Sequence, residues 1–189
     1  MSSREALDLV VKAYDVRGTV PDQLDTDVAR ALGVGFAVFT GSSVVVLARD
    51  MRSSGVELAD AFADGLMEYG VDVVDIGLAS TDLMYFASGR LDAPGAMFTA
   101  SHNPAQYNGI KMCLAGARPV GVDTGLDRIK ATAADVLDGR LPPVSGRRGR
   151  RTERDLLSAF CDHVTSFVDP ASLRPMRVVA DTANGMGGL

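Results

Sequence analysis

No apolar run in this sequence approaches the ~18 to 20 residues that a helix needs to cross a bilayer, so a membrane-spanning class is not expected. The opening residues, Met1-Ser2-Ser3-Arg4-Glu5, place an acid early and lack the basic start and apolar core of a secretory signal. Cysteine occurs twice, at Cys113 and Cys161, far apart and with no C-x-x-C pair; both read as packing thiols. There is no G-x-x-x-x-G-K-[ST] loop, and Gly185-x-Gly187 alone is a weak dinucleotide signal. Positive charge is also short: 19 Lys and Arg against 24 Asp and Glu leave a net charge of -5. That balance argues against a polyanion-binding surface, although it leaves room for a local basic pocket. A cytoplasmic protein is expected, with neither nucleic acid nor a membrane as partner.

What is present is a chain of 189 residues with 47% hydrophobic and 23% charged residues and 20 glycines, a composition that fits a globular α/β protein with a sizeable core. Val10 to Asp15 reads as a brief apolar approach to a turn at Val16-Arg17-Gly18. Asp25 and Thr26 can cap a helix whose apolar residues run from Val28 to Phe39, ended by Gly41. Val44 to Leu47 is a continuous β-branched run, which suits a strand buried on both faces. Ser54 and Glu57 have capping-box spacing at the head of a helix carrying Leu58, Phe62 and Leu66, and Val71 to Ile76 reads as the next strand. Ser80 can cap a further helix closed near Gly89.

The apolar run Ala93 to Phe98 then leads into Thr99-Ala100-Ser101-His102-Asn103-Pro104. A hydroxyl just beyond a buried strand sits where α/β proteins present reactive groups. Proline pushes the residue before it toward extended geometry, so Asn103-Pro104 stiffens the turn. The segment after Pro104 is too short for a crossover helix, so Gly109 to Leu114 is expected to return antiparallel to the strand before it. Leu126, Ile129, Ala133 and Leu137 mark another helix, closed by Gly139.

Pro142-Pro143-Val144-Ser145-Gly146 reads as a linker, and five arginines come after it, at 147, 148, 150, 151 and 154; without interleaved aromatics they read as a solvated linker rather than an anion site. Thr152 with Asp155 suggests a cap for a helix with an apolar face from Leu156 to Val168, with His163 at the surface. Arg177 to Ala180 reads as a new strand, and Asp181 to Gly188 opens a Gly-rich turn at which the chain stops; an element left without its partner suggests a fragment of a longer protein.

Phosphoryl transfer asks a protein chiefly to position an acceptor and to neutralise the moving charge. Ser101 can carry the group as an ester if cations surround it, and Arg17, Arg49, Arg52 and Lys111 are available. Arg17 and Lys111 read as functional, whereas Arg49 and Arg52 read better as structural, because Asp50 sits between them and can organise the turn. His102 can exchange protons, orient a phosphate or fix the loop, and the three roles are not separable from sequence. A serine hydrolase does not fit: Ala100 and His102 flank Ser101 where a nucleophile elbow has glycines, and a histidine adjacent to its serine rarely has triad geometry.

Taken together, T-A-S-H-N-P at Thr99 to Pro104, N-G-I-K at Asn108 to Lys111, Y-D-V-R-G at Tyr14 to Gly18 and A-R-D-M-R-S-S-G at Ala48 to Gly55 resemble the α-D-phosphohexomutase superfamily, especially its bacterial phosphomannomutase/phosphoglucomutase group. The resemblance implies a four-domain enzyme whose first domain is α/β, with a mixed, mostly parallel sheet and helices on both faces. Residues 1–150 would be that domain, and 151–189 the start of the second. It further implies that Ser101 is a phosphoserine that converts hexose 6-phosphate and hexose 1-phosphate into one another through a hexose 1,6-bisphosphate. Ser101 would bind Mg²⁺ through its phosphate, with the remaining ligands outside this chain. Lys111 and His102 would assist proton transfer, and Tyr14, Arg17 and Asn103 would contact substrate or phosphate. The fragment alone should not turn over, and its sheet edges could support self-association. Two departures stand out: Ala48 replaces a usual glycine, and Ala79-Ser80-Thr81-Asp82 stands where V-P-T-P is common. A phosphoglucosamine mutase is the nearest alternative, disfavoured by the Tyr14-to-Gly18 motif, and a non-enzymatic phosphosugar-binding or scaffold protein is the rival from another class.

Overall fold

The computed structural model describes residues 2–141, 144 and 146–188. Its framework is a seven-stranded sheet in the order β1-β5-β4-β2-β3-β7, with β6 beside β5. The strands are β1 (Val16–Thr19), β2 (Val44–Arg49), β3 (Asp72–Leu78), β4 (Gly95–Phe98), β5 (Tyr107–Leu114), β6 (Arg118–Pro119) and β7 (Arg151–Glu153). β2 pairs parallel with β3 and β4, β3 pairs parallel with β7, and β5 pairs antiparallel with β1, β4 and β6, so β5 alone runs against the rest. That reversal is the return strand expected after the serine turn.

Helices α1 (Ser3–Val10), α2 (Thr26–Thr40), α3 (Gly55–Glu68), α4 (Thr81–Leu91), α5 (Leu126–Leu137) and α6 (Leu157–Thr165) cover both faces. Side chains alternate across a strand, so β2 feeds two cores. Val45 and Leu47 join Phe36, Phe62, Phe98 and Ile129 in the larger one, under α1, α2, α3 and α5. Val46 and Ala48 join Ile76, Leu83, Met84 and Met97 in the smaller, under α4 and the start of α6. Gly33 and Gly65 let α2 and α3 touch: a Cβ on Gly33 would stand 2.3 Å from the carbonyl oxygen of Phe62, and one on Gly65 2.3 Å from that of Arg30. Cys113 is buried, and desolvation pushes its thiol pKa up, as a packing role requires.

Several local expectations are corrected by the structure. Val16-Arg17-Gly18 is not a turn but most of β1, an edge strand, and a capped helix precedes it: the Ser2 hydroxyl accepts from the Glu5 N–H and the Glu5 carboxylate from the Ser2 N–H. Ser54 makes no capping hydrogen bond, because its backbone is helical and its hydroxyl accepts from the Asn108 side-chain amide at 3.0 Å. α4 runs past Gly89 to Leu91. Thr152 lies in β7, and it is Asp155 whose carboxylate accepts from the Leu157 N–H. Arg177 to Ala180 forms no strand; Val178 and Val179 are exposed and no neighbouring strand among the described residues completes a ladder there. Cys161 is exposed on α6 and is not a core thiol. Of the linker reading, Pro142, Pro143 and Ser145 lie outside the described residues.

The arginines after the linker are exposed, as expected, but three of them are paired with acids. Arg147 binds Asp72, Arg148 binds Asp64, and Arg151 bridges Asp60 and Asp75, while the Arg150 N–H also reaches Asp72. They fasten β7 to the edge of β3 by charge.

Candidate functional site

Ser101 stands beyond the carboxyl end of β4, and Asp50 to Ser53 beyond the carboxyl end of β2. Because these strands are parallel neighbours, their exit turns lie side by side, a common place for ligands in α/β sheets. Arg52 crosses from one turn to the other. One terminal nitrogen donates to the carbonyl oxygens of Pro104 and Tyr107, both at 2.8 Å, and the other to those of Ser101 at 2.9 Å and Asn103 at 2.7 Å. Asp50, only 4% exposed, anchors Arg52 in turn: Oδ1 accepts the Arg52 N–H at 3.0 Å, and Oδ2 lies 3.4 Å from Nε. The structural reading of Arg52 from sequence is the one the geometry supports.

Ser101 itself is exposed and has φ +53°, a left-handed conformation that costs a side-chain-bearing residue about 1–2 kcal/mol. The buried Thr99 hydroxyl accepts the Ser101 N–H at 2.9 Å and so helps hold that conformation. The serine hydroxyl is thus presented at the apex of a turn braced from below.

The second part of the site lies where β1 meets β5. Arg17 is opposite Gly109 in the ladder, so Asp15, two residues before Arg17, and Lys111, two residues after Gly109, share its side of the sheet. One carboxylate oxygen of Asp15 accepts from Arg17 at 2.7 Å and from Lys111 at 3.2 Å. Arg17 also donates to the side-chain oxygen of Asn103 at 2.6 Å, which joins this cluster to the serine turn. The Arg17 Nε is buried without a partner. Arg17, Asn103 and Lys111 are therefore joined in one hydrogen-bonded system that centres on Asp15 and reaches the Ser101 turn through Asn103.

His102 is on the turn but exposed, and makes no side-chain hydrogen bond or ion pair among the described residues. Tyr14 is 81% exposed with its ring beside Gly121, outside that system. Among the described residues the Arg49 side chain reaches only the neighbouring Asp50 carbonyl, at 3.4 Å. A cavity of about 670 Å³ opens beside Ser101, lined by the turns Met51–Ser53 and Ser101–Asn103 and by Thr182–Gly185. The sequence signal for this last wall was its Gly-rich turn, which carried no role in the sequence reading.

Among the described residues no group of three or more His, Cys, Asp or Glu could hold a metal ion. Near Ser101, Asp50 and Asp15 are both committed to cations. These residues do not fit a magnesium site by themselves. No helix among them is long and apolar enough to cross a membrane.

A family profile described as phosphoglucomutase/phosphomannomutase, alpha/beta/alpha domain I, matches residues 8–137. Over 179 residues, 94% of this chain, the sequence is 40% identical to a protein of Xanthomonas campestris pv. campestris named phosphohexose mutases and 38% identical to a phosphomannomutase of Escherichia coli strain K12. The chain spans 39% of the length of each. A solved phosphoglucomutase/phosphomannomutase family protein from Burkholderia thailandensis superposes with a TM-score of 0.71 at 34% identity, over 88% of this chain and 36% of that one.

Proposed function

Since this chain belongs to the phosphoglucomutase/phosphomannomutase family and matches its first domain, we propose that Ser101 is the phosphocarrier of a hexose phosphate mutase. Residues 1–150 act as the serine-bearing domain and 151–189 begin the next. In the full-length protein, the bond from phosphorus to the Ser101 Oγ breaks as one forms to a free hydroxyl of a hexose monophosphate, whose proton passes to a nearby base. The resulting hexose 1,6-bisphosphate returns its other phosphoryl group to Ser101. Lys111 and His102 are the candidate proton carriers, and Arg17, Asn103 and Tyr14 the candidate substrate contacts. The observation that carries this reading is an exposed serine hydroxyl on a braced apex, linked through Asn103 to an Arg17–Asp15–Lys111 cluster.

Both mannose and glucose phosphates are proposed substrates, and magnesium is a proposed cofactor whose ligands would have to come from outside the described residues. The chain by itself is expected to be inactive. In the full-length protein, Ser101→Ala should abolish conversion between the 1- and 6-phosphates and remove the phosphate from the peptide that contains position 101. Wild-type turnover in that variant would overturn the proposal.

A further inference from the structure

Arg52 lies beside the serine turn, where a phosphate clamp would stand, yet both of its terminal nitrogens are already used. Each terminal nitrogen serves two carbonyl oxygens, of Pro104 and Tyr107 on one side and of Ser101 and Asn103 on the other, while Nε is buried 3.4 Å from the Asp50 carboxylate and makes no hydrogen bond among the described residues. No open N–H remains on the guanidinium to grip a ligand, since those of the terminal nitrogens are taken and Nε is buried. The side chain is almost wholly buried, at 8% exposure, although its bonds to Ser101 and Pro104 lie at the exposed end.

A trans peptide is planar, with its N–H opposed to its C=O. Drawing the Ser101 and Pro104 carbonyls inward to Arg52 therefore turns the N–H groups of His102 and Ala105, which share those peptide planes, to the outer side. Neither N–H makes a hydrogen bond among the described residues, and both residues are exposed. One buried cation thus sets which way the polar groups of the serine turn face, while the Thr99 hydroxyl holds the Ser101 N–H.

We infer that Arg52 is a positioning residue for phosphoryl transfer: it fixes the orientation of the Ser101 turn from beneath and does not contact substrate. The inference rests on the phosphocarrier reading of Ser101, and it deepens that reading by giving the carrier its support. Lysine keeps the charge but cannot span four carbonyls with a planar fork.

The experiment uses the full-length protein with hexose 1-phosphate as substrate and hexose 1,6-bisphosphate as phosphoryl donor to Ser101. Misplacement of a reacting group by about 1 Å costs roughly 100-fold in rate, so Arg52→Lys is expected to lower kcat and the rate of Ser101 phosphorylation by about that factor, with KM within about threefold of wild type. A raised KM with kcat kept would mean that Arg52 binds phosphate directly and would overturn the inference, as would wild-type values of both. Should Arg52→Lys not fold, Asp50→Asn keeps the guanidinium and loosens its anchor; it is expected to lower kcat about tenfold at unchanged KM, and an unchanged kcat there overturns the inference. Ser101→Ala, made alongside, separates the two levels. If it stays active, the phosphocarrier reading fails whatever Arg52 does; if it is dead while Arg52→Lys turns over normally, only the positioning role fails.

Discussion

Arginine fastens two regions of this molecule, and it does so by opposite physics. At the serine turn a single buried guanidinium binds backbone carbonyls and leans on one buried carboxylate. Along β7 several half-exposed or exposed guanidiniums bind carboxylates on α3 and β3. Bonds to main-chain oxygens fix the path of the chain itself, whereas side-chain pairs in water hold two elements near one another without dictating their shape. The first arrangement gives geometry and the second gives attachment. The contrast also explains why a run of arginines in an acidic protein is a poor guide to an anion site: here acids of β3 and α3 pair with three of them.

The comparison breaks most readily at Asp50. Asp50→Ala removes the carboxylate facing Arg52 and leaves a buried charge without that partner, so unfolding by urea should show a loss of about 3–5 kcal/mol. A loss below about 1 kcal/mol would mean that the carbonyls alone satisfy the guanidinium. A smaller effect sharpens the picture at the apex. Because φ is +53° at Ser101, Ser101→Gly should be more stable than Ser101→Ala by about 0.5–1 kcal/mol, while neither restores turnover. Equal stabilities would show that the turn relaxes out of the left-handed region once the hydroxyl is gone.

On the β7 side the expected effects are smaller. Arg148→Ala, which removes an exposed pair with Asp64, should cost less than about 0.5 kcal/mol in the same titration, and salt at about 1 M should make it vanish. The slightest effect is with pH. The Asp72 carboxyl titrates below its ordinary range, first because of its hydrogen bond from Arg147 and then that from the Arg150 N–H. The folded group binds its proton less readily than the unfolded one, so its contribution is complete above the usual carboxylate pKa of about 4 and fades as pH falls through the lowered folded value. Hydrogen exchange at the amides of β7 should therefore speed up on acidification before exchange in β2 or β4 does. Simultaneous loss across the sheet would contradict this.

The central strands were legible because burial on both faces demands continuous apolar runs, as in Val44 to Leu47 and Ala93 to Phe98, and such runs have few alternatives. The return of β5 followed from chain length alone. The edges were not legible. β1 is four residues long and contains Arg17 and Gly18, and β7 consists of three exposed polar residues; each is a strand only because a neighbour offers its ladder. Arg177 to Ala180 shows the converse, a good strand composition with no described strand alongside it. α1 carried a readable signal in the Ser2 and Glu5 spacing, followed at once by Leu7 and Val10, which are both buried. At the site, Ser101, Arg17 and Lys111 could be singled out from their places after strands, and Asn103, His102 and Tyr14 from the family resemblance, but the sharing of Asp15 between two cations depends on strand register, which no single segment records.

The turn bearing Ser101 connects two strands that are each laddered on both sides, β4 between β2 and β5, and β5 between β4 and β1. The two feet of that turn cannot shift without breaking ladder bonds in the middle of the sheet. If Ser101 is the phosphocarrier proposed above, any travel between one delivery and the next would fall to the guest or to chain beyond the sheet.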